Sequence, residues 1–117
     1  MAEVYYRFVR GPVVTVDDFK SAGALGKTMR RPGNQRQWDE GVSVFDDNAS
    51  AYEFAASIRF RPGSYIVPIA LPIGHGYEVV QTGKNQHHYT IYAPAEELIT
   101  YVSEEPTRMP GSPEPKD

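Results

Sequence analysis

The chain has no cysteine at any of its 117 positions. That excludes a disulfide framework, a thiolate nucleophile and a zinc–sulfur site, so the fold has to be held by packing. An excess of positive charge is also lacking: 12 Lys and Arg stand against 15 Asp and Glu, a formal charge of −3 with a pI near 5.6. Such a balance gives no general attraction to nucleic acid or to an anionic membrane surface and leaves room only for a local basic patch. No apolar run approaches the length that spans a bilayer, and residues 1–10 lack the apolar centre of a signal peptide. A soluble, cytoplasmic protein without a membrane partner is the expectation.

What is present is enough for one core. With 40% hydrophobic and 12% aromatic residues, a chain of this size buries a single core and lies below the length at which chains divide. The stretch "VYYRFVRG" (4–11) is aromatic and β-branched and ends at Gly11-Pro12, so it reads as the first strand. Alternation puts Val4, Tyr6 and Phe8 on one face and Tyr5, Arg7 and Val9 on the other. Thr15 precedes Asp18 at capping-box spacing and opens a short helix. Residues 27–40 form a polar connection with Lys27, Arg30, Arg31 and Arg36 around the turn Pro32-Gly33-Asn34, and read as a long surface loop in which Trp38 is the packing anchor.

The stretch "GVSVFDDNASAYEFA" (41–55) is a strand that turns into a helix across an acidic corner. Asp46, Asp47 and Asn48 supply oxygens for the free N–H groups of the helix start. Ala51, Phe54, Ala55 and Ile58 then fall at i, i+3, i+4 and i+7 and make one apolar face. "SYIVPIALP" (64–72) is another strand, whose Pro68 requires an edge position or a bulge. "YEVVQT" and "HHYTIY" flank the turn "GKNQ" (83–86) and make a hairpin. "LITYVS" reads as a last strand, and the Pro-rich residues 106–117 read as a disordered tail after a single domain spanning 1–105. Strands and two short helices in this order give α+β with a mainly antiparallel sheet.

Three blocks carry a family resemblance. The strand, acidic corner and helix of Gly41–Ala55 are similar to the second motif of the ADP-ribosyltransferases. "HYTIYAPAEELITYV" (88–102) resembles their third motif, and Tyr6-Arg7 on the first strand resembles the arginine motif of one large branch. The chain also resembles a family of short uncharacterised bacterial proteins that share the "YR", "GVSVF" and "HYT" blocks. The first resemblance implies a two-sheet core in which two small antiparallel sheets meet at a cleft floored by the first two strands. It implies NAD as ligand or co-substrate, with Arg7 on the dinucleotide, Ser43 and Phe45 against the nicotinamide and its ribose, and Tyr52 as a stacking ring. His88 stands in the catalytic position, where the transferases carry a glutamate that stabilises a cationic sugar. Glu78, Glu96 and Glu97 are the candidates to stand in for that carboxylate.

Each of these residues also has a plain structural role. Arg7 on a half-exposed strand is more often a solvated side chain than a clamp, and a basic loop is more often a solvated surface. His75 between two glycines reads as a loop residue. His87 and His88 are adjacent in a strand and point to opposite faces, which argues against a shared metal, and none is expected. Three functions compete: a member of the fold that has lost catalysis and binds a nucleotide, an RNA end or a protein partner, an active NAD-directed transferase or toxin, and a small RNA-cleaving toxin with His88 or His87 as acid or base and Arg7 on the phosphate. The glutamate-to-histidine change favours the first. The acidic balance weighs against nucleic acid as a partner.

Overall fold

In the first strand, Tyr5 and Arg7 alternate with Tyr6 and Phe8, and that alternation fixes which layer each side chain joins. The computed structural model describes residues 3–27 and 34–113, so Arg30, Arg31, Pro32 and Gly33 of the predicted basic loop lie outside it. The elements are β1 (Glu3–Val9), a 3₁₀ turn (Val16–Phe19), α1 (Gln35–Glu40), β2 (Val42–Phe45), α2 (Asn48–Ser57), β3 (Tyr65–Leu71), β4 (Glu78–Gln81), β5 (His88–Tyr92), α3 (Ala95–Leu98) and β6 (Thr107–Arg108), with a second 3₁₀ turn at Ile99–Tyr101. The strands form one antiparallel sheet in the order β4-β5-β2-β1-β3-β6. Among the described residues no helix is long and apolar enough to cross a membrane.

Each face of the sheet has its own cover. On the Arg7 side, Val9, Val44, Val67 and Ile91 pack with Phe19 of the first 3₁₀ turn and Leu98 of α3. On the Tyr6 side, Phe45 and Ile66 receive Ala51 and Ala55 of α2 together with Met109. The acidic corner before α2 is a joint. Asp47 caps the helix by accepting from the Ser50 amide at 2.9 Å and from its hydroxyl at 2.8 Å, and these bonds hold its carboxyl below the usual range. Asp46 lies 2.8 Å from Nδ1 of His87.

The far end of α2 is strained. The Phe60 amide donates to Ala55 O at 2.7 Å and the Arg59 amide to Ala56 O at 3.1 Å. This is the Schellman closure of a helix, whose left-handed position glycine usually fills. Here Arg59 and Phe60 both take a φ of 58°, which costs on the order of 1 kcal/mol for each non-glycine residue.

Several expectations change. The two sheets are one, but β1 and β2 are joined by a single register pair, Tyr6 with Phe45, while β1 and β3 pair from Glu3–Leu71 to Val9–Tyr65. The sheet therefore has a waist. Residues 35–40 of the predicted loop are helix α1, capped by Asn34, whose side chain accepts from the Gln37 amide at 3.0 Å. The predicted strand at "LITYVS" is α3 and the second 3₁₀ turn, and only an isolated bridge between Ile69 and Val102 is extended pairing. Residues 107–113 of the predicted disordered tail are built onto the sheet, because β6 pairs with β3 and Met109, 2% exposed, enters the core under α2. Pro68 sits where β6 has already ended: β6 reaches only Tyr65 and Ile66, so the missing N–H breaks no ladder.

Candidate functional site

The waist creates the most unusual polar group in the molecule. Continuing the register beyond Tyr6–Phe45 would bring Phe8 opposite Ser43, yet that pairing is not made. The guanidinium of Arg7 fills the gap instead. Its Nε donates to Asp18 O at 2.9 Å and one terminal nitrogen donates to Ser43 O at 2.8 Å. Burial pushes its pKa down to about 10, against the opposing pull of the Asp18 charge. The Asp18 carboxylate is itself engaged, accepting from the Thr15 amide at 2.7 Å as the cap of the first 3₁₀ turn.

Among the described residues Arg7 thus has no ion pair. A guanidinium carries five N–H donors, so three remain after the two carbonyls are served. Its second terminal nitrogen has no protein partner among the described residues and keeps contact with solvent, since no such atom is both buried and unbonded. A half-buried cation with open donors favours an anion that can lie against it.

His88 stands across β2 from this group. It pairs with Phe45, meets that ring edge-on at 5.3 Å between centroids, and shares a sheet face with Phe45 and Tyr6. Nδ1 lies 3.0 Å from Thr82 O and 2.9 Å from Thr82 Oγ1. A carbonyl only accepts, so Nδ1 carries the proton and the bare lone pair is left on Nε2. Burial pushes the imidazole below its ordinary value of 6.5; the Thr82 carbonyl resists this, and the positive charge of Arg7 adds to it.

That shift predicts a pH dependence. The folded state favours neutral His88, so the associated stability is intact above pH 6.5 and falls as acid protonates the ring, levelling off below the folded pKa. Denaturant midpoints taken between neutral and mildly acidic pH should fall more for the native chain than for His88→Gln. Parallel curves would show that the ring is not desolvated.

The sequence-predicted residues are only partly brought together. Arg7 reaches the Ser43 carbonyl, but His88 pairs with Phe45 and lies with it and Tyr6 on the sheet face opposite Arg7, so the three do not converge on one surface. The Ser43 side chain is exposed, on the Phe45 face. Phe45 is 2% exposed and packs against Phe8, Phe54 and His88. Tyr52 is elsewhere, donating its hydroxyl to Pro110 O at 2.8 Å and packing against Phe60. No candidate substitute carboxylate reaches His88. Glu78 pairs with Tyr92, about 13 Å along β5 from His88 at strand spacing, and is gripped by both terminal nitrogens of Arg36 at 2.8 and 3.2 Å. Glu97 accepts from the Tyr77 hydroxyl at 2.5 Å. Glu96 lines a cavity beside Val42 and Tyr92.

Sequence reasoning missed this cavity of about 520 Å³. Phe19, Val42 and Tyr92 give it an apolar floor, and Arg36, Glu40 and Glu96 stand at its rim. Arg36 lies 4.0 Å from the centre of the Tyr92 ring while it holds Glu78. Arg7 does not line the cavity, but Asp18 and Ser43, whose carbonyls hold its guanidinium, are chain neighbours of Phe19 and Val42. The signal available in sequence was Tyr92 followed by the Pro94–Glu97 turn; it could not reveal that α1 comes to lie beside them. Gly41 allows that approach, because a Cβ there would lie 2.5 Å from Thr90 Cγ2 and 2.6 Å from Gln37 O. Among the described residues no group of His, Asp and Glu has the arrangement of a metal site.

No protein family, curated protein or solved structure matches the chain.

Proposed function

We propose that the chain binds a nucleotide-type ligand, NAD or a fragment of it, with a phosphate on Arg7, and that it does not cleave the ligand. The observation that carries this reading is the half-buried guanidinium in the waist between β1 and β2, which has no ion pair among the described residues and donors left over. The adjacent cavity has the size of a nucleotide pocket, and its carboxylates suit ribose hydroxyls, which donate. The ADP-ribosyltransferase-like assignment is supported by the side-by-side placement of β1 and β2 and by the antiparallel order of the sheet. Loss of catalysis follows from charge. Breaking the bond to nicotinamide develops a cationic sugar, and where the transferases carry a glutamate this chain has His88, whose imidazole burial keeps neutral and which lies on the sheet face opposite Arg7.

Calorimetric titration with NAD, ADP-ribose and nicotinamide tests this. Binding should require the phosphates, so nicotinamide alone should not bind. Arg7→Ala is a poor probe, because two backbone carbonyls would lose a charged donor at a cost of about 2–3 kcal/mol. Arg7→Lys keeps the charge and removes the planar fork, and should weaken ADP-ribose about tenfold or more with a small change in melting temperature. Equal affinity in the Lys variant, or no affinity in the native chain, would overturn the reading. NAD hydrolysis should be undetectable in the native chain and more readily gained than lost in His88→Glu. Robust turnover that disappears in His88→Ala would sink the claim of silence.

A further inference from the structure

The carboxylates are unevenly distributed. Residues 4–16, 54–77 and 106–113 contain no Asp or Glu, and parts of all three meet at one end of the sheet. The backbone of Arg10 lies against Gly63, where a Cβ would be 3.3 Å from the Arg10 nitrogen. Tyr65 pairs with Arg108, and Met109 N donates to Ser64 O at 2.8 Å. The turn that follows α2 supplies Arg59 and Arg61 to the same end. Arg10, Arg59 and Arg61 are exposed and make no ion pair or side-chain hydrogen bond among the described residues. Arg108 is bonded to Ser112 O and is not counted with them. In a chain of charge −3 this end is cationic, and none of its cations is a lysine.

The backbone adds a second observation. Arg59 occupies the left-handed position of the helix closure at a φ of 58°, and Phe60 follows at the same angle. Glycine would fill the first position without strain. A charged side chain held at a position that disfavours it points to a use for the charge. Behind it, Phe60 and Tyr52 are half-exposed, with ring centres 6.1 Å apart and planes tilted by 49°.

We infer that this end of the molecule, built from Arg10, Arg59, Arg61, Phe60 and Tyr52, docks the phosphate backbone of a single-stranded nucleic acid. Guanidinium groups match phosphate oxygens as planar forks, and neighbouring half-exposed aromatic rings offer faces to unpaired bases. An anionic membrane is the weaker match: polybasic membrane contacts use clusters of four to eight cations, and here three are open. An acidic peptide would use the arginines but leave the two rings without a role. The overall acidity of the chain does not oppose local docking, because Arg10, Arg59 and Arg61 are paired with no carboxylate among the described residues. This surface is separate from Arg7 and independent of what binds there.

The probe is a fluorescein-labelled single-stranded oligouridylate, followed by anisotropy against the full chain. Binding should appear at low salt and weaken with a log–log slope of about −2, the value for three phosphates released from a single strand. Arg59→Gly should bind severalfold more weakly while melting a few degrees higher. Arg10→Gln with Arg61→Gln should abolish the remainder, and Arg7→Lys should leave oligonucleotide binding unchanged. No binding at low salt would overturn the inference, as would affinity indifferent to the three arginines. Sedimentation with phosphatidylserine vesicles and titration with polyglutamate complete the test. If either depends on Arg10, Arg59 and Arg61 while the oligonucleotide does not, the surface belongs to that other partner and the proposal fails.

Discussion

A chain ended at Glu105 is expected to lose a large part of its stability and to melt far below the full chain. Met109 is 2% exposed among Phe45, Ala51, Ala55 and Ile66, and emptying such a methionine site costs about 2–5 kcal/mol. The cut also removes the bonds from Met109 N to Ser64 O at 2.8 Å, from Ser64 Oγ to Pro113 O at 2.7 Å and from Tyr52 to Pro110 O at 2.8 Å. At about 1 kcal/mol each these bring the loss to roughly 5 kcal/mol or more, against a total stability of about 5–15 kcal/mol for a typical domain. Met109→Ala alone should lower stability by about 3 kcal/mol. Circular dichroism of the two variants decides the matter, and a truncated chain that melts like the native one would mean that residues 106–113 are ornament.

Gly63→Ala should be nearly as damaging, by a different route. Gly63 has a φ of 152°, and an added Cβ would stand 2.3 Å from Val9 O and 2.7 Å from Val9 C. Both atoms belong to backbone that is locked into β1, so neither can rotate away. A cost of roughly 3 kcal/mol or more is expected. Gly74→Ala is the control: its φ is 79°, but nothing lies within 4 Å of the added carbon, so only the left-handed backbone is penalised, by about 1 kcal/mol. Thermal melts of equal midpoint for the two variants would contradict the clash at Gly63.

How much of this was legible follows from how local each cause is. β1, β2, α2, β3 and the β4–β5 hairpin were readable because period-two alternation, a cap and turn residues lie within a few positions of one another. Ile99 to Val102 misled because β-branched residues normally mark strands, yet Pro94 starts a helix whose N–H bonds from Glu97 and Leu98 return to its own carbonyl. α1 was invisible because Trp38 is its single large apolar residue and its cap lies at the end of a polar run. The tail looked disordered from its prolines, and only tertiary contact shows that Met109 has a hole to fill. At the site, Arg7 was singled out from its place on the first strand, but what it holds depends on carbonyls 11 and 36 positions away in the chain. The cavity beside it joins segments that no spacing rule connects.

The strand order also constrains how the molecule can be made. Only β4 and β5 are joined by a tight turn; β1 must wait for β3, whose residues 65–71 emerge some sixty positions later, to gain its long ladder. Until then the first strand of a newly synthesised chain, rich in tyrosine and phenylalanine, has one edge wholly open and the other joined to β2 only at Tyr6–Phe45. Long-range pairing of this kind is slow, because the loop must close before its contacts reward it. The interval between synthesis of Val9 and synthesis of Leu71 is therefore when this protein is most exposed to aggregation, and when a chaperone would find it.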